Sequence, residues 1–375
     1  MELINMTDAS EDLFDPIIWD NYCYQILKIG NEIIKNSPEN ELDRVEGYRY
    51  LARLVNYSLS KFLDPPSPIR PIIDYNSPRI GGDNPDFVYG QTLISGLYDY
   101  RIHGNKNDAF NISFGSYYGG LGSDKGLQCS GNIQLKELSI GADGEFELIV
   151  SKNNNQGDWL PIIHETNSIL IRQTLLNREV DIPADISIEL IKTSTVDHIK
   201  QPLTSSQFLN TLNLSGMFVE GVVKQFLHWT HNFKSKPNEI NPTDPDLLKF
   251  ANGDPDTFYH NGYFELNSDE VLLVELAPPN CEYWNIQVTN YWLESLDYMD
   301  FCTHFNHSNA RADVDGKYRF IISPKDPGLY NWINTVEHSR GCISIRWNIA
   351  DNNPDVKTEL LSFENAVSKI IKLRH

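Results

Sequence analysis

The sequence predicts a mainly β protein with flanking helices, an α+β chain. Two tandem, internally duplicated β-sandwich or jelly-roll-like units follow an N-terminal helical hairpin and are joined by a bridging helix. Two observations predict it. The second half repeats the first at an offset of 170 to 174 residues, and each copy consists of short β-branched and aromatic runs punctuated by glycine, asparagine and proline. Asn84, Pro85, Asp86 and Tyr89 return as Asp254, Pro255, Asp256 and Tyr259, and Phe110, Asn111 and Ile112 as Trp284, Asn285 and Ile286. Asp143, Gly144, Phe146, Ile149 and Ser151 return as Asp315, Gly316, Tyr318, Ile321 and Ser323, and Trp159, His164 and Arg172 as Trp332, His338 and Arg346. Many short strands with turn signals between them favour a sandwich over a parallel sheet.

The elements follow in order. Asp15 and Pro16 read as an N-cap and first-turn proline, and Ile18, Tyr22, Ile26, Ile29 and Ile33 recur at helical spacing up to about Asn36. A second helical stripe, Leu42, Val45, Tyr48, Ala52, Val55, Leu59 and Phe62, stops at Pro65, Pro66 and Pro68, where the missing amide donors end a helix. Strand patterns then cover 98–103, 109–118, 132–140, 145–151, 168–175 and 186–191, an all-β unit of about seven strands. Thr204 and Ser205 cap a long bridging helix carrying Phe208, Leu212, Val219, Val222, Phe226 and Trp229, closed by a loop over 242–255. Strands return at 271–276, 283–292, 317–323 and 342–349, and a short helix over 362–373 ends the chain. The division is 1–80 hairpin and linker, 81–200 first sandwich, 201–250 bridge, and 251–375 second sandwich with its helix.

With 51 acidic against 31 basic residues the formal charge is -20, which repels nucleic acid and anionic membrane surfaces alike. No apolar run reaches the roughly 20 residues that span a bilayer. The first residues are acidic where a secretory signal is basic, so a cytoplasmic protein is expected. Five scattered cysteines, Cys23, Cys129, Cys281, Cys302 and Cys342, fit reduced thiols. The asparagine sequons at Asn5, Asn56, Asn111, Asn213 and Asn306 are read as accidents of an asparagine-rich chain.

Residues that recur in both copies are first suspected of holding the fold. Asp-Gly at 143–144 and 315–316 supplies tight turns with positive φ at glycine. Trp159 and Trp332 seal a core edge with the indole N–H on a carbonyl, or else offer stacking platforms for a planar ligand. Arg172 and Arg346 lie in apolar strands and require partners, for which Asp86 and Asp256 are the natural choice; facing a cleft, they would clamp a carboxylate or phosphate. His164 and His338 each precede one of these arginines by eight or so residues, His338 being a ligand candidate.

Candidate chemistry falls on Arg101 and His103 of one strand with Tyr117 and Tyr118 of the next and the glycines Gly119, Gly120 and Gly122. These could line a polar pocket suited to proton transfer and charge stabilisation. The candidate catalytic residues are thus His103, Asp86 and Asp256, and the candidate ligand-binding residues Arg101, Tyr117, Tyr118, Trp159, Arg172, Trp332, His338 and Arg346. His228 with His231, and His304 with His307, have metal-compatible spacing without a third ligand nearby. No dinucleotide loop, triphosphate loop or nucleophile elbow is present, so no organic cofactor is expected.

The segments 43–54 (DRVEGYRYLARL), 83–89 (DNPDFVY), 157–173 (GDWLPIIHETNSILIRQ) and above all 326–347 (DPGLYNWINTVEHSRGCISIRW) resemble the bacterial family known as domain of unknown function 1214. The resemblance covers nearly the whole chain and implies a β-sandwich domain, often paired with a related one, and oligomers; it transfers no catalytic residue. The function expected is binding, and acid–base conversion, of an aromatic, terpenoid or glycosidic small molecule in a cleft between the sandwiches. A non-enzymatic carbohydrate-binding or assembly module, forming a homo-oligomer through its sheet faces, and a metal-dependent enzyme are the alternatives.

Overall fold

The computed structural model describes residues 17–153, 157–191, 202–244, 246–248 and 253–374. The expected cap at Asp15 and Pro16 and the sequon at Asn5 lie outside the described residues. Two helices, α1 (Ile17–Asn36) and α2 (Glu41–Leu63), form the expected hairpin. Asn40 caps α2 by accepting from the Asp43 amide at 2.8 Å, one of the donors that a helix start leaves unpaired. The first β unit runs β1 (Phe87–Leu93), β2 (Tyr100–Asn105), β3 (Asn111–Gly119), β4 (Leu127–Gln134), β5 (Glu145–Ser151), β6 (Trp159–Pro161), β7 (Ser168–Thr174) and β8 (Asp185–Leu190). Helix α3 (Ser205–Lys234), capped by Thr204 as expected, leads to β9 (Ile240–Pro242). The second unit runs β10 (Thr257–Glu265), β11 (Glu270–Leu276), β12 (Tyr283–Thr289), β13 (His304–Asn306), β14 (Tyr318–Ser323), β15 (Trp332–Asn334), β16 (Arg340–Asn348) and β17 (Lys357–Ser362), then α4 (Phe363–Arg374).

The duplication is carried strand for strand. The first unit has sheets ordered β1-β7-β3-β4 and β6-β5-β2-β8; the second has β10-β16-β12-β13, extended at its edge by β9, and β15-β14-β11-β17. Tyr89 lies opposite Arg172 in one unit and Tyr259 opposite Arg346 in the other. The short parallel pairs also match, with Ile149 beside Trp159 and Ile321 beside Trp332. Gly144 and Gly316 have φ of 89° and 79°, which the Asp-Gly turns need and which a Cβ disfavours.

Each sandwich has its own core, with Ile102, Phe114, Leu148 and Ile171 in the first and Leu272, Ile286, Phe320 and Ile345 in the second. A third cluster joins the helices to the second unit through Val222, Trp229, Tyr263, Trp292 and Cys342. All five cysteines are free. No helix among the described residues is long and apolar enough to cross a membrane.

Three sequence expectations change. Strand β4 occupies 127–134 where 132–140 was expected, because the chain turns into a short 3-10 segment at Leu135–Glu137. The match of Phe110, Asn111 and Ile112 to Trp284, Asn285 and Ile286 is two residues out: Ser113 and Asn285 are the residues opposite Arg172 and Arg346. A slip of two preserves the strand face, so alternation alone could not detect it. Finally, the first half of the apolar stripe expected on α2 faces outward, while Val55 and Phe62 further along pack partly buried against the third cluster as expected. Leu42, Val45 and Tyr48 are exposed, whereas Asp43, Glu46, Gly47 and Tyr50 are buried. The buried face is selected by Trp292, which stacks on Tyr50 at 6.0 Å and donates from its indole to the Asp43 carbonyl at 2.8 Å. A Cβ on Gly47 would lie 2.7 Å from the Trp292 ring, so only glycine admits this approach.

Candidate functional site

The site grows from the two repeated turns. In Asn84-Pro85-Asp86 the Asn84 side chain accepts from the Asp86 amide at 3.0 Å; in Asp254-Pro255-Asp256 the Asp254 carboxylate accepts from the Asp256 amide at 2.9 Å. Tyr89 and Tyr259 hydroxyls accept from the first amide of each turn, at 2.9 Å and 3.0 Å. Like local sequence thus gives like local structure, a proline-fixed Asx turn ahead of a strand.

Each turn then reaches across to the other copy. The Asp86 carboxylate accepts from the Tyr283 hydroxyl at 2.7 Å and from the Asn306 amide at 3.1 Å, and lies 3.1 Å from His304 Nε2. The Asp256 carboxylate accepts from Asn132 at 2.8 Å and Gln134 at 2.9 Å. Sheet register makes these partners equivalent: Asn306 is opposite Asn285 and Gln134 opposite Ser113, and two residues earlier stand His304 and Asn132. At matched positions the fold uses an amide donor in one copy and an imidazole in the other. A hydrogen-bond donor satisfies the architecture; only the imidazole has a second nitrogen that can accept a proton.

Because a carboxylate only accepts, Nε2 of His304 is assigned the proton and Nδ1 keeps its lone pair. That Nδ1 is itself buried and has no hydrogen-bond partner among the described residues, while the side chain as a whole is 17% exposed and Asp86 3%. His304 therefore stands at the rim of the junction with its carboxylate partner beneath it. His307 packs between Phe110 at 5.2 Å and Tyr283 at 5.9 Å, and burial pulls its pKa down against the opposing charge of Asp86. Burial, helped by the Asp86 charge, lifts the Tyr283 phenol well above its usual value, so it remains a donor. Beside His304 lies Tyr298, ring to ring at 6.2 Å, with the Arg79 and Arg178 guanidinium carbons 5.0 Å and 5.5 Å from the Tyr298 ring centre.

The structure disperses the remaining candidates. Arg101 and His103 lie on the outer face of β2, where Arg101 meets Glu147 and Glu189 at 3.4 Å and 3.2 Å; Tyr100 and Ile102 alternate into the core. Tyr117 belongs to the other sheet, fully buried, accepting from Arg172 at 3.1 Å, and Tyr118 is half-buried beside it. One pocket cannot hold both pairs because the sandwich core separates them. The following glycine loop docks on α3 instead: a Cβ on Gly221 would lie 1.8 Å from the Gly122 carbonyl oxygen. Arg172 and Arg346 are buried, but neither bonds to Asp86 or Asp256; Arg346 donates to Gln287 at 2.8 Å and to the Gly82 carbonyl. The carboxylates were already engaged across the junction, and neutral oxygens hold the guanidiniums. Trp159 and Trp332 donate their indole N–H to the Ser151 and Ser323 carbonyls, both at 3.0 Å.

The two histidines of the repeat part company. His164 is exposed, whereas His338 is buried with Nε2 2.9 Å from Glu46 and Nδ1 2.7 Å from the Thr335 carbonyl. Burial alone would lower the His338 pKa, but Glu46 and the carbonyl outweigh it and the net shift is upward; Glu46 is correspondingly lowered despite its burial. Close by, the fully buried Glu294 accepts from Asn290 at 2.9 Å and pairs with Arg53, and burial raises its pKa. This network ties α2 to the segment after β12.

His228 and His231 are exposed on α3, and among the described residues no three His, Cys, Asp or Glu side chains gather to hold a metal ion. A cleft of about 390 Å³ between α4 and the sheet beneath it is lined by charges that pair with one another, such as Lys369 with Glu359. Sequence reasoning missed Arg79, Arg178 and Tyr298 altogether, since they come from three separate segments with no repeat or spacing to mark them. His304 was visible only as half of a metal-like pair.

No family model matches the chain, and no curated protein does. Among solved structures, an uncharacterised protein from Burkholderia cenocepacia is 31% identical, with 94% of this chain and 99% of that chain covered and a TM-score of 0.88. A protein from Vibrio parahaemolyticus covers 83% of this chain and 98% of its own at 11% identity and a TM-score of 0.47, too distant to argue from.

Proposed function

This chain belongs to the same family as the uncharacterised Burkholderia cenocepacia protein, and on that premise we propose that it binds a small organic molecule at the rim between its two sandwiches and moves a proton on it through His304. The observation behind this reading is the 3.1 Å contact between His304 Nε2 and Asp86 Oδ1, at a position where the other copy places Asn132. Asp86 orients the ring and fixes its tautomer; the buried, unpartnered Nδ1 is the basic atom that ligand binding must uncover. Asp86 is thus a positioning residue, and the acid–base role expected of His103 and Asp256 passes to His304. The ligand classes remain aromatic, terpenoid or glycosidic molecules. Membership of the domain of unknown function 1214 family and a cytoplasmic location are part of the same proposal.

His304→Asn copies the amide found in the other half and keeps a donor for Asp86. A metabolite thermal-shift screen on the wild type, followed by turnover assays of each hit, tests the reading. Turnover falling about 10²-fold or more in His304→Asn supports it; turnover unchanged in a folded His304→Asn protein overturns it.

A second reading, self-assembly, rests on the exposed Trp19, Tyr24 and Leu27 of α1 and Val45 and Tyr48 of α2. Sedimentation of the wild type against a Trp19→Ser, Tyr48→Ser variant tests it, a monomer in both excluding a homo-oligomer.

A further inference from the structure

We propose that the ligand of this junction site carries an oxyanion, a carboxylate or phosphate group, and that Arg79 and Arg178, both packed against the Tyr298 ring, form its clamp. The inference rests on the rim between the sandwiches being the ligand site, and it names what the rim selects. Arg79 comes from the segment before β1, Arg178 from the loop after β7, and Tyr298 from the segment after β12, so three distant stretches converge on one ring. His304 completes the cluster at 6.2 Å from the same ring.

Charge marks this cluster. The protein has 51 acidic and 31 basic residues, yet neither guanidinium has a carboxylate within ion-pairing distance among the described residues. Arg79 Nη1 donates to the carbonyls of Ser295 and Leu296, both at 3.1 Å; Arg178 donates from Nε to the Pro85 carbonyl at 2.7 Å and from Nη2 to the Phe87 carbonyl. The half-buried Asp83 feels the charge of Arg79, but its oxygens are engaged by Ser295 at 2.9 Å and 2.6 Å. Backbone carbonyls therefore fix the guanidiniums in place while leaving Arg79 Nη2 and Arg178 Nη1 without an acceptor among the described residues. Two fixed, half-buried cations with donors to spare match the geometry of an oxyanion, which accepts from several N–H groups at once. Arg178 also grips the turn that bears Asp86, so a bound anion would sit directly beside the His304 ring.

The test uses the full chain with benzoate and inorganic phosphate as probes and benzamide as the neutral counterpart of benzoate, read by calorimetry and thermal shift. At least one oxyanion is expected to bind and benzamide is not, with affinity falling as salt is raised. The preferred probe tells carboxylate from phosphate. Arg79→Gln and Arg178→Gln should each weaken that binding about tenfold or more, and Arg178→Lys, which retains the charge but loses the fork, should fall between. If a Gln variant does not fold, Arg178→Lys and the salt series on wild type decide the question. No binding of either oxyanion by wild type, equal binding of benzamide, or unchanged affinity in folded arginine variants would overturn the clamp. His304→Asn separates the two readings. Retained oxyanion binding there leaves the clamp standing whatever happens to turnover, while retained turnover there sinks only the proton-transfer role.

Discussion

His304 Nε2 lies 3.1 Å from Asp86 Oδ1 although 218 residues separate them in the chain. The contact bonds the turn ahead of the first sandwich to a short strand of the second, and it places an imidazole where the other copy has an amide. Its counterpart is the Asn132 amide on Asp256, 2.8 Å away. Asymmetry between otherwise matched junction contacts is therefore where the two halves differ in chemistry.

Removing the junction carboxylates should have unequal effects. Asp86 is buried and accepts from three side chains, so Asp86→Ala should cost about 3–5 kcal/mol in urea denaturation by stranding those donors. Asp256 is exposed, and Asp256→Ala should cost about 1 kcal/mol. Equal losses would mean that burial does not distinguish the two turns.

The tryptophans should prove to be supports. Trp159→Phe and Trp332→Phe each remove one half-buried indole hydrogen bond at 3.0 Å, an expected loss of about 1 kcal/mol apiece. The losses should add in the double variant, because the residues sit in separate sandwiches. Calorimetric unfolding checks this, and any change in ligand affinity would reopen a stacking role.

Arg101→Ala and His103→Ala should leave ligand binding unchanged and shift stability by no more than about 0.5 kcal/mol, since both side chains lie on an outer face with only exposed ion pairs. Lost ligand binding in either variant would place the site on the wrong sheet.

The Glu46 and His338 pair sets a pH window. His338 is raised in the fold, so its contribution is complete below the ordinary histidine value of 6.5 and disappears as pH climbs through the raised value. Glu46 is lowered, so its share is present above 4.5 and disappears as pH falls through its depressed value. Asp43 and Glu294, both raised, and Arg340 surround the pair, so the readout is the difference from wild type. Melting temperatures followed upward from pH 6 should decline in wild type and stay flatter in His338→Gln. Parallel curves would refute the assignment.

Much of the architecture could be read from residues alone. Repetition located both sandwiches, Thr204 marked the start of α3, the Asp-Gly pairs marked turns with positive φ, and the tryptophans found the carbonyls expected of them. Periodicity failed where two faces competed. In the first half of α2 the apolar stripe faces outward, and the side bearing Asp43, Glu46 and Tyr50 is buried because Trp292, Glu294 and His338 offer it specific partners. The candidate pocket failed for a related reason: Arg101 with His103, and Tyr117 with Tyr118, are near in sequence but belong to opposite sheets of one sandwich.

By itself the sequence determined the repeated strand pattern, the turns and caps, and a strongly acidic surface, because those depend on preferences expressed over a few residues. Only the tertiary structure decided that Asp86 would meet His304, that Arg172 and Arg346 would be held by neutral oxygens, and that Arg79, Arg178 and Tyr298 would converge. Such choices depend on how two nearly equivalent sheets pack against each other. The packing free energy that sets their partners is spread over the whole junction and has no signature in any one segment.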